Sequence, residues 1–375
     1  MKSNYVSAHL MVIAAASVAF ASSALAGDPG DPRLTAASPE AACNSLTMAS
    51  TGGPTIKDKK TLLVRWMGFT NYELVYGDHV ILLDQWYDRA GTQYKDLGFS
   101  PSDVTRADLM LVGHGHYDHM ADTARVGSQT HAPIIAAPIT VAKLLTQPVN
   151  PAQLIPVTGT TGEVLNFPGI GITIQPILGR HGQPPAFTGA FGTAYKAGAP
   201  VPTPSQASAL ATILARGSSD PNITTQGTIA YIFTFEDGFK LAWRDSGGVM
   251  TDYEKQVLAE IGPVDVLLGA VAANVIAESQ AKILLPMLET YRPAVYIPGH
   301  HEEEVGGKVD RATEPLFQYA KNEFPGMITI SKEFKEPTCF DTQKNVAKGY
   351  PSHNGYTGAR GTNGNLNDWN GPGFF

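Results

Sequence analysis

Leu109-Met110-Leu111-Val112-Gly113-His114-Gly115-His116-Tyr117-Asp118-His119 runs from an apolar stretch straight into three imidazoles and a carboxylate. In an extended segment, side chains two apart project to the same side. His114, His116 and Asp118 are therefore expected to converge, with His119 beside them. Four such groups at a strand end have little structural use other than holding cations. The plainer alternative is a solvated polar loop that happens to contain histidines. Only ten histidines occur in 375 residues, so this clustering argues against chance. The spacing suits nitrogen and oxygen donors around a borderline divalent ion such as zinc, with no thiolate involved.

One short cluster cannot close two cation sites, so further donors are expected where other strands end. Runs at 62–66, 73–76, 79–84, 109–112, 134–136 and 172–178 read as strands. So do 229–235, 239–243, 264–268, 294–297 and 327–330, with turns at Gly77-Asp78 and Asp237-Gly238. Helical periodicity is read at 139–145, 253–261, 278–291 and 313–322. This order predicts sheets covered by helices, an α/β layered domain. The 172–178 strand runs into Gly179-Arg180-His181, and the 239–243 strand into Arg244-Asp245-Ser246-Gly247-Gly248. The 294–297 strand runs into Pro298-Gly299-His300-His301. Such handovers are where a rigid scaffold aims side chains at a common point. Singly, His181 reads as a loop histidine, Asp245 as a turn residue or helix cap, and His300 with His301 as a surface pair. Their joint occurrence after strands favours ligands.

Asp84 after the 79–83 run, His114-x-His116-x-Asp118-His119, His181, Asp245 and His300 together resemble the metallo-β-lactamase superfamily of metallohydrolases. The matching pieces extend over most of the chain. The resemblance implies a four-layer αββα sandwich with two metal ions at one edge of its sheets. It implies one ion on His114, His116 and His181 and a second on Asp118, His119 and His300, with Asp245 bridging both. His301 competes with His300, and the Gly-His pairing favours His300. Asp84 would support the loop that carries the ligands. Arg65-Trp66-Met67-Gly68, Gly77 and Leu82-Leu83-Asp84 resemble the branch of ascorbate-6-phosphate lactonase-like enzymes. More distantly, they resemble N-acyl phosphatidylethanolamine phospholipase D-type enzymes. Many members of that branch carry a His soon after the first Gly, where this chain has Phe69-Thr70-Asn71.

Chemistry of this kind is hydrolysis by water held between two divalent ions about 3.5–4 Å apart, its pKa lowered toward about 7. Zinc is the first expectation, with manganese or iron as alternatives. Asp118 and Asp245 are the expected catalytic residues, orienting the nucleophile and relaying a proton to the leaving group. There is no Gly-x-Ser-x-Gly elbow. Arg180 and Arg244 each precede a proposed ligand and can bind a phosphate or carboxylate. Either can instead serve packing or a surface ion pair, because adjacent strand residues face opposite ways. Phe187, Phe191 and Tyr195 can form an apolar lid suited to a substrate with an apolar portion, or pack only on one another. A lactone, ester or phosphodiester small molecule is the first expectation. A β-lactam or thioester hydrolase, an iron-dependent oxidoreductase of the same fold, and a non-catalytic metal-binding protein are the alternatives. The di-iron members resemble a pattern with Glu where this chain has His116, so the all-His first triad favours zinc-type hydrolysis.

Composition bounds the rest. Lys2, the apolar run 10–20 and Ala24-Leu25-Ala26 before Gly27 read as a signal peptide, residues 1–26, cleaved after Ala26. The alternative is an uncleaved anchor, although the run is short for a membrane span. A secreted or periplasmic protein is expected. Its charge, −7 over the whole chain and about −8 without Lys2, and its lack of a basic cluster argue against nucleic acid as partner. A small-molecule substrate, with no stable membrane anchor, is the expected partner. Cys43 and Cys339 are the only cysteines and can pair in an oxidising compartment or remain two thiols. Residues 27–56 read as an N-terminal segment and 57–335 as the hydrolase domain, with 182–227 as a Pro/Ala-rich insertion. Residues 336–375 read as an irregular, Gly- and Asn-rich C-terminal arm.

Overall fold

The computed structural model describes residues 36–90, 92, 94, 96–160, 162–182, 203–271, 277–301, 320, 322–331, 333–343 and 346–347. All belong to one compact unit that begins at Pro32. The expected signal peptide, Phe187, Phe191, Tyr195 and most of the 313–322 helical pattern lie outside the described residues.

Two sheets carry the fold. The first contains β3 (Thr61–Trp66), β4 (Tyr72–Tyr76), β5 (His79–Leu83), β6 (Leu109–Leu111), β7 (Ile134–Ala136) and β8 (Leu154–Pro156). They lie in that order, and β16 (Pro337–Asp341) and then β17 (Val346–Ala347) extend the sheet beyond β3. Strands β3, β4 and β5 are antiparallel neighbours, while β5 to β8 run parallel. The parallel pairs β6–β7 and β7–β8 are joined by crossovers that carry α3 (Thr123–Thr130) and α4 (Pro138–Leu144). The second sheet runs β9 (Leu165–Phe167), β10 (Ile172–Leu178), β11 (Ile229–Phe235), β12 (Lys240–Arg244), β13 (Val266–Ala270), β14 (Val295–Gly299) and β15 (Ile328–Thr329). Helices α7 (Asp252–Ile261) and α8 (Ala277–Tyr291) connect its parallel strands β12, β13 and β14. A small parallel pair, β1 (Ala36–Ala37) with β2 (Thr55–Ile56), flanks α1 (Pro39–Asn44).

Side-chain alternation shows why these segments stack in layers. Along β11, Ile229, Tyr231, Phe233 and Phe235 enter the core shared with the first sheet. Ala230 and Ile232 join the second core, with Leu258 of α7 and Leu284 and Leu288 of α8. Trp243, Leu268 and Ile297 repeat the inward choice, and Ala242, Leu267 and Tyr296 the outward one. A strand buried on both faces reads as a continuous apolar run, as β11, β13 and β14 do.

Register then brings the important strand ends to one edge. Leu83 pairs with Leu111, so Asp84 and Val112 leave the first sheet together. Arg244 pairs with Gly269, and Ala270 with Gly299, so Asp245 and His300 leave the second sheet at the same end. The antiparallel pairing of Leu178 with Ile229 carries His181 there too. Backbone and tyrosyl bonds stitch the sheets at this edge, from Ile229 N to Gly113 O (2.8 Å) and from Tyr231 Oη to Val112 O (3.0 Å).

The C-terminal segment differs from the irregular arm expected from sequence. Pro337–Asp341 is a strand antiparallel to β3, with Cys339 opposite Leu63, and Cys339 is disulfide-bonded to Cys43. Pro337-Thr338-Cys339-Phe340-Asp341 holds no continuous apolar run of the kind that marks the other strands, and Pro337 is tolerated as its first residue. The strand expected at 264–268 sits two residues later, because Val264 and Asp265 spend their amides on Tyr291 and Lys240 carbonyls. Among the described residues no helix is long and apolar enough to cross a membrane.

Candidate metal centre

The hexapeptide does not stay extended. Strand β6 ends at Leu111, and the chain turns through Gly113 to Gly115. A short helix, α2 (Tyr117–Met120), then starts with His116 as its N-cap. The amides of His119 and Met120 both donate to the His116 carbonyl, at 3.1 and 3.0 Å. Convergence therefore comes from a strand–turn–helix, not from the two-residue period of a strand. Gly113 is required here: a Cβ at this position would lie 2.1 Å from the Asp245 carboxylate.

The expected residues meet in three overlapping groups whose candidate ligand atoms lie within 4.8 Å of one another. These are His114 with His116 and His181, His114 with His119 and Asp245, and Asp118 with His119 and His300. His114 Nε2 lies 3.0 Å from His116 Nδ1, and the His181 ring centre is 4.5 Å from that of His114. His114 Nδ1 contacts Asp245 Oδ2 directly. Asp118 Oδ2 is 3.3 Å from His300 Nε2 and 3.5 Å from His119 Nε2. His114, His119 and Asp245 are buried, whereas His116, Asp118, His181 and His300 are partly open. The cluster thus has a sealed floor and an accessible side.

His300 and His301 separate cleanly. The His300 amide donates to Phe69 O (2.7 Å), and its ring turns toward Asp118 with φ at +60°. His301 lies in the core, stacked on Trp66 at 4.6 Å between ring centres. The two arginines separate as well. Arg180 is exposed, while Arg244 is buried and paired with Glu254 at 3.0 Å, away from solvent.

Asp84 sits where the expected support should be. Its Oδ1 accepts from Gly113 N (3.0 Å), and its Oδ2 lies 2.6 Å from His119 Nδ1 and 2.7 Å from the Thr70 hydroxyl, which donates to it. Nδ1–H donation to Asp84 leaves Nε2 of His119 as the nitrogen on the Asp118 side, available to a cation once it gives up its proton. Sequence reading missed Thr70 and Asn71, which had registered only as departures from a family pattern. Asn71 Oδ1 accepts from Trp86 N (2.6 Å), and its Nδ2 donates to the Asp118 carbonyl (3.4 Å). Only their place in the turn between β3 and β4 could have pointed to them. The second half of the insertion also belongs to the site. Helix α5 (Pro204–Arg216) presses Ile213 against Phe69, Trp86 and Tyr117, and Ser218 N donates to Gly115 O (2.6 Å). After α6 (Ile223–Gln226) begins, Thr224 O accepts from His181 N (3.1 Å).

Electrostatics match a cation-binding role. Burial pushes the His114 imidazole well below its ordinary range, His116 to about 4 and His181 to about 3. All three are therefore neutral donors at neutral pH. Burial also pushes Asp245 up to about 8, with the nearby Asp84 charge adding to it. Burial opposes charge on His119, but Asp118 and Asp84 outweigh it and lift this group to about 9. Asp118 is held below the usual carboxylate range by His119 and His300, against the effect of burial. Asp245 Oδ1 is buried with no hydrogen-bond partner among the described residues. A buried Asp245 oxygen without a hydrogen-bond partner, in a carboxyl group that contacts His114 and lies close to His119, fits a place for a divalent cation.

Comparison with known proteins bears on the fold. The solved structure of Igni18, a metallo hydrolase from the archaeon Ignicoccus hospitalis, superposes with a TM-score of 0.51 at 15% identity. The match covers 75% of this chain and 98% of that one. The chain has the metallo-β-lactamase fold. No protein-family model matches it. A metal-dependent hydrolase of the UPF0173 group from Thermoplasma acidophilum is 32% identical over 78 residues, which is 21% of this chain. A second, from Pyrobaculum arsenaticum, is 26% identical over 141 residues, 36% of this chain. The chain spans 32% and 60% of the lengths of these two relatives.

Proposed function

We propose that this metallo-β-lactamase-fold chain is a secreted metallohydrolase that uses two divalent cations, zinc first, on a lactone, ester or phosphodiester small molecule. The observation that carries the reading is the gathering of His114, His116, His181, Asp118, His119, His300 and Asp245 from separate strand ends into one half-open cluster. His114, His116 and His181 would hold one cation, Asp118, His119 and His300 the other, and Asp245 would reach both. The bound cations would supply Lewis acidity and a water acidified to near neutrality. The relatives from Thermoplasma acidophilum and Pyrobaculum arsenaticum, both metal-dependent hydrolases, support this chemistry.

The chain's own residues do the rest. Asp84 and Thr70 fix the His119 tautomer from below. Buried Asp245 orients, while Asp118, ionised and on the open side, would accept a proton at the carboxylate oxygen not turned to His119 and His300 and return it to the leaving group. Arg244, being buried, does not bind substrate. The Cys43–Cys339 disulfide supports work outside the cytoplasm, in keeping with the N-terminal apolar run.

The test is a panel of chromogenic lactone, phosphodiester and β-lactam substrates assayed with zinc and with manganese. The proposal expects turnover of a lactone or phosphodiester, reduced to the uncatalysed rate in His116→Ala. Unchanged turnover in that variant would refute the site. Mass determination of the exported protein tests the compartment, with cleavage after Ala26 as the expected result.

A further inference from the structure

Arg244 has no part in the ligand set, yet it is among the largest fully enclosed side chains of the protein. Its guanidinium is anchored by Glu254, Nε to Oε1 at 3.0 Å and Nη2 to Oε2 at 3.5 Å. Glu254 is itself fixed: Oε2 accepts from Thr251 N (2.9 Å) and Thr251 Oγ1 accepts from Glu254 N (3.0 Å), the box that starts α7. From this anchor the guanidinium reaches both ends of the next turn, donating through Nη1 to Ser246 O and through Nη2 to Val249 O (3.4 Å).

That turn touches two cation-binding segments. Asp245 lies against Gly113 and contacts His114. On its other side, Ser246 Oγ accepts from Gly182 N (2.9 Å), next to His181. Gly248 packs so closely on the same segment that a Cβ there would sit 1.8 Å from Arg180 O. The turn therefore sets the places of Asp245 and His181 together, while Asp118, His119 and His300 are carried by other elements.

We propose that Arg244 is a positioning residue, a strut that holds the 245–249 turn and so aligns Asp245 and His181 for the cation at His114, His116 and His181. The proposal rests on the two-cation reading above. It requires a planar fork reaching several acceptors at once, which lysine cannot reproduce although it keeps the charge. Arg244→Met strands Glu254 as a buried unpaired carboxylate and threatens folding, so Arg244→Lys and Ser246→Ala are the informative variants.

Zinc affinity, read by competition with a chromophoric chelator, and zinc content per chain after dialysis test the strut. The wild-type chain should bind two zinc ions. Arg244→Lys should weaken the ion held with His181 at least tenfold and the other, which shares only Asp245 with the turn, by a clearly smaller factor; Ser246→Ala should weaken the first ion less. Val266→Ala, a core truncation in β13, should lower the melting temperature without changing either affinity. If Arg244→Lys keeps both affinities, or loses both equally, the strut is wrong while the two-cation reading stands. A wild-type chain that takes up no zinc overturns that reading and the strut with it.

Discussion

His119 and Asp245 carry the protons that a cation must displace. His119 is lifted to about 9, chiefly by Asp118 and Asp84 against burial, and Asp245 is pushed to about 8 by burial and Asp84. Both are protonated at pH 7, whereas His114, His116 and His181 are already neutral. Zinc uptake at pH 7 should therefore release about two protons. Affinity should therefore rise as pH increases through the neutral range, because both groups must give up protons to the cation. Zinc titrations by calorimetry in buffers of different ionisation enthalpy would count the protons. A flat affinity between pH 6 and 8 would contradict this account. Residue identity was legible in the sequence for every member of the cluster, but its electrostatics were not. Burial and the approach of Asp84 create these shifts, and neither is a property of the local string.

Elements place these residues by where they stop. The short parallel strands β5, β6, β12, β13 and β14 end in register, so each following residue emerges at the same edge. Those strands were legible because apolar runs bounded by Gly, Pro and Asp signal buried parallel pairing. Helix α2 was not, because four residues cannot show a 3.6-residue period. The opposite end of β5 offers a separate test. His79 lies 3.6 Å from Asp108, whose Oδ2 accepts from Val80 N (2.7 Å), pinning the start of β5 to the segment entering β6. The Asp108 carboxylate raises the His79 pKa above its ordinary value, more than burial lowers it. A raised folded-state pKa means this stabilisation is fully present below about pH 6.5 and is lost as pH climbs through the raised value. Melting temperature against pH should show that loss in the wild type, and Asp108→Asn should flatten it. A parallel decline in the variant would remove His79 from the explanation.

At the scale of the whole molecule, one covalent bond closes the chain over 296 residues, joining the segment before β2 to β16 at the margin of the first sheet. Loop-closure reasoning makes so long a link strongly stabilising, about 2–5 kcal/mol in practice. Paired Cys43→Ser and Cys339→Ser substitutions should lower stability by that amount in urea titrations. They should leave the metal cluster intact, because no cluster residue lies on β16. A stability change below about 1 kcal/mol would mean that strand pairing alone holds this margin together.

The sequence by itself determined the chemistry, since donor types, their order and the strands before them are written in consecutive residues. It also determined the layering, through alternation that sends Tyr231, Phe233 and Trp243 to one core and Ala230 and Ile232 to the other. Only the tertiary structure decided that His300 and not His301 faces Asp118, that Thr70 and Asn71 serve the site, and that residues 203–227 of the insertion pack against it. Each of these depends on contacts between segments far apart in the chain. Local periodicity carries no record of such distances, which appear only once both sheets are packed and their ends meet.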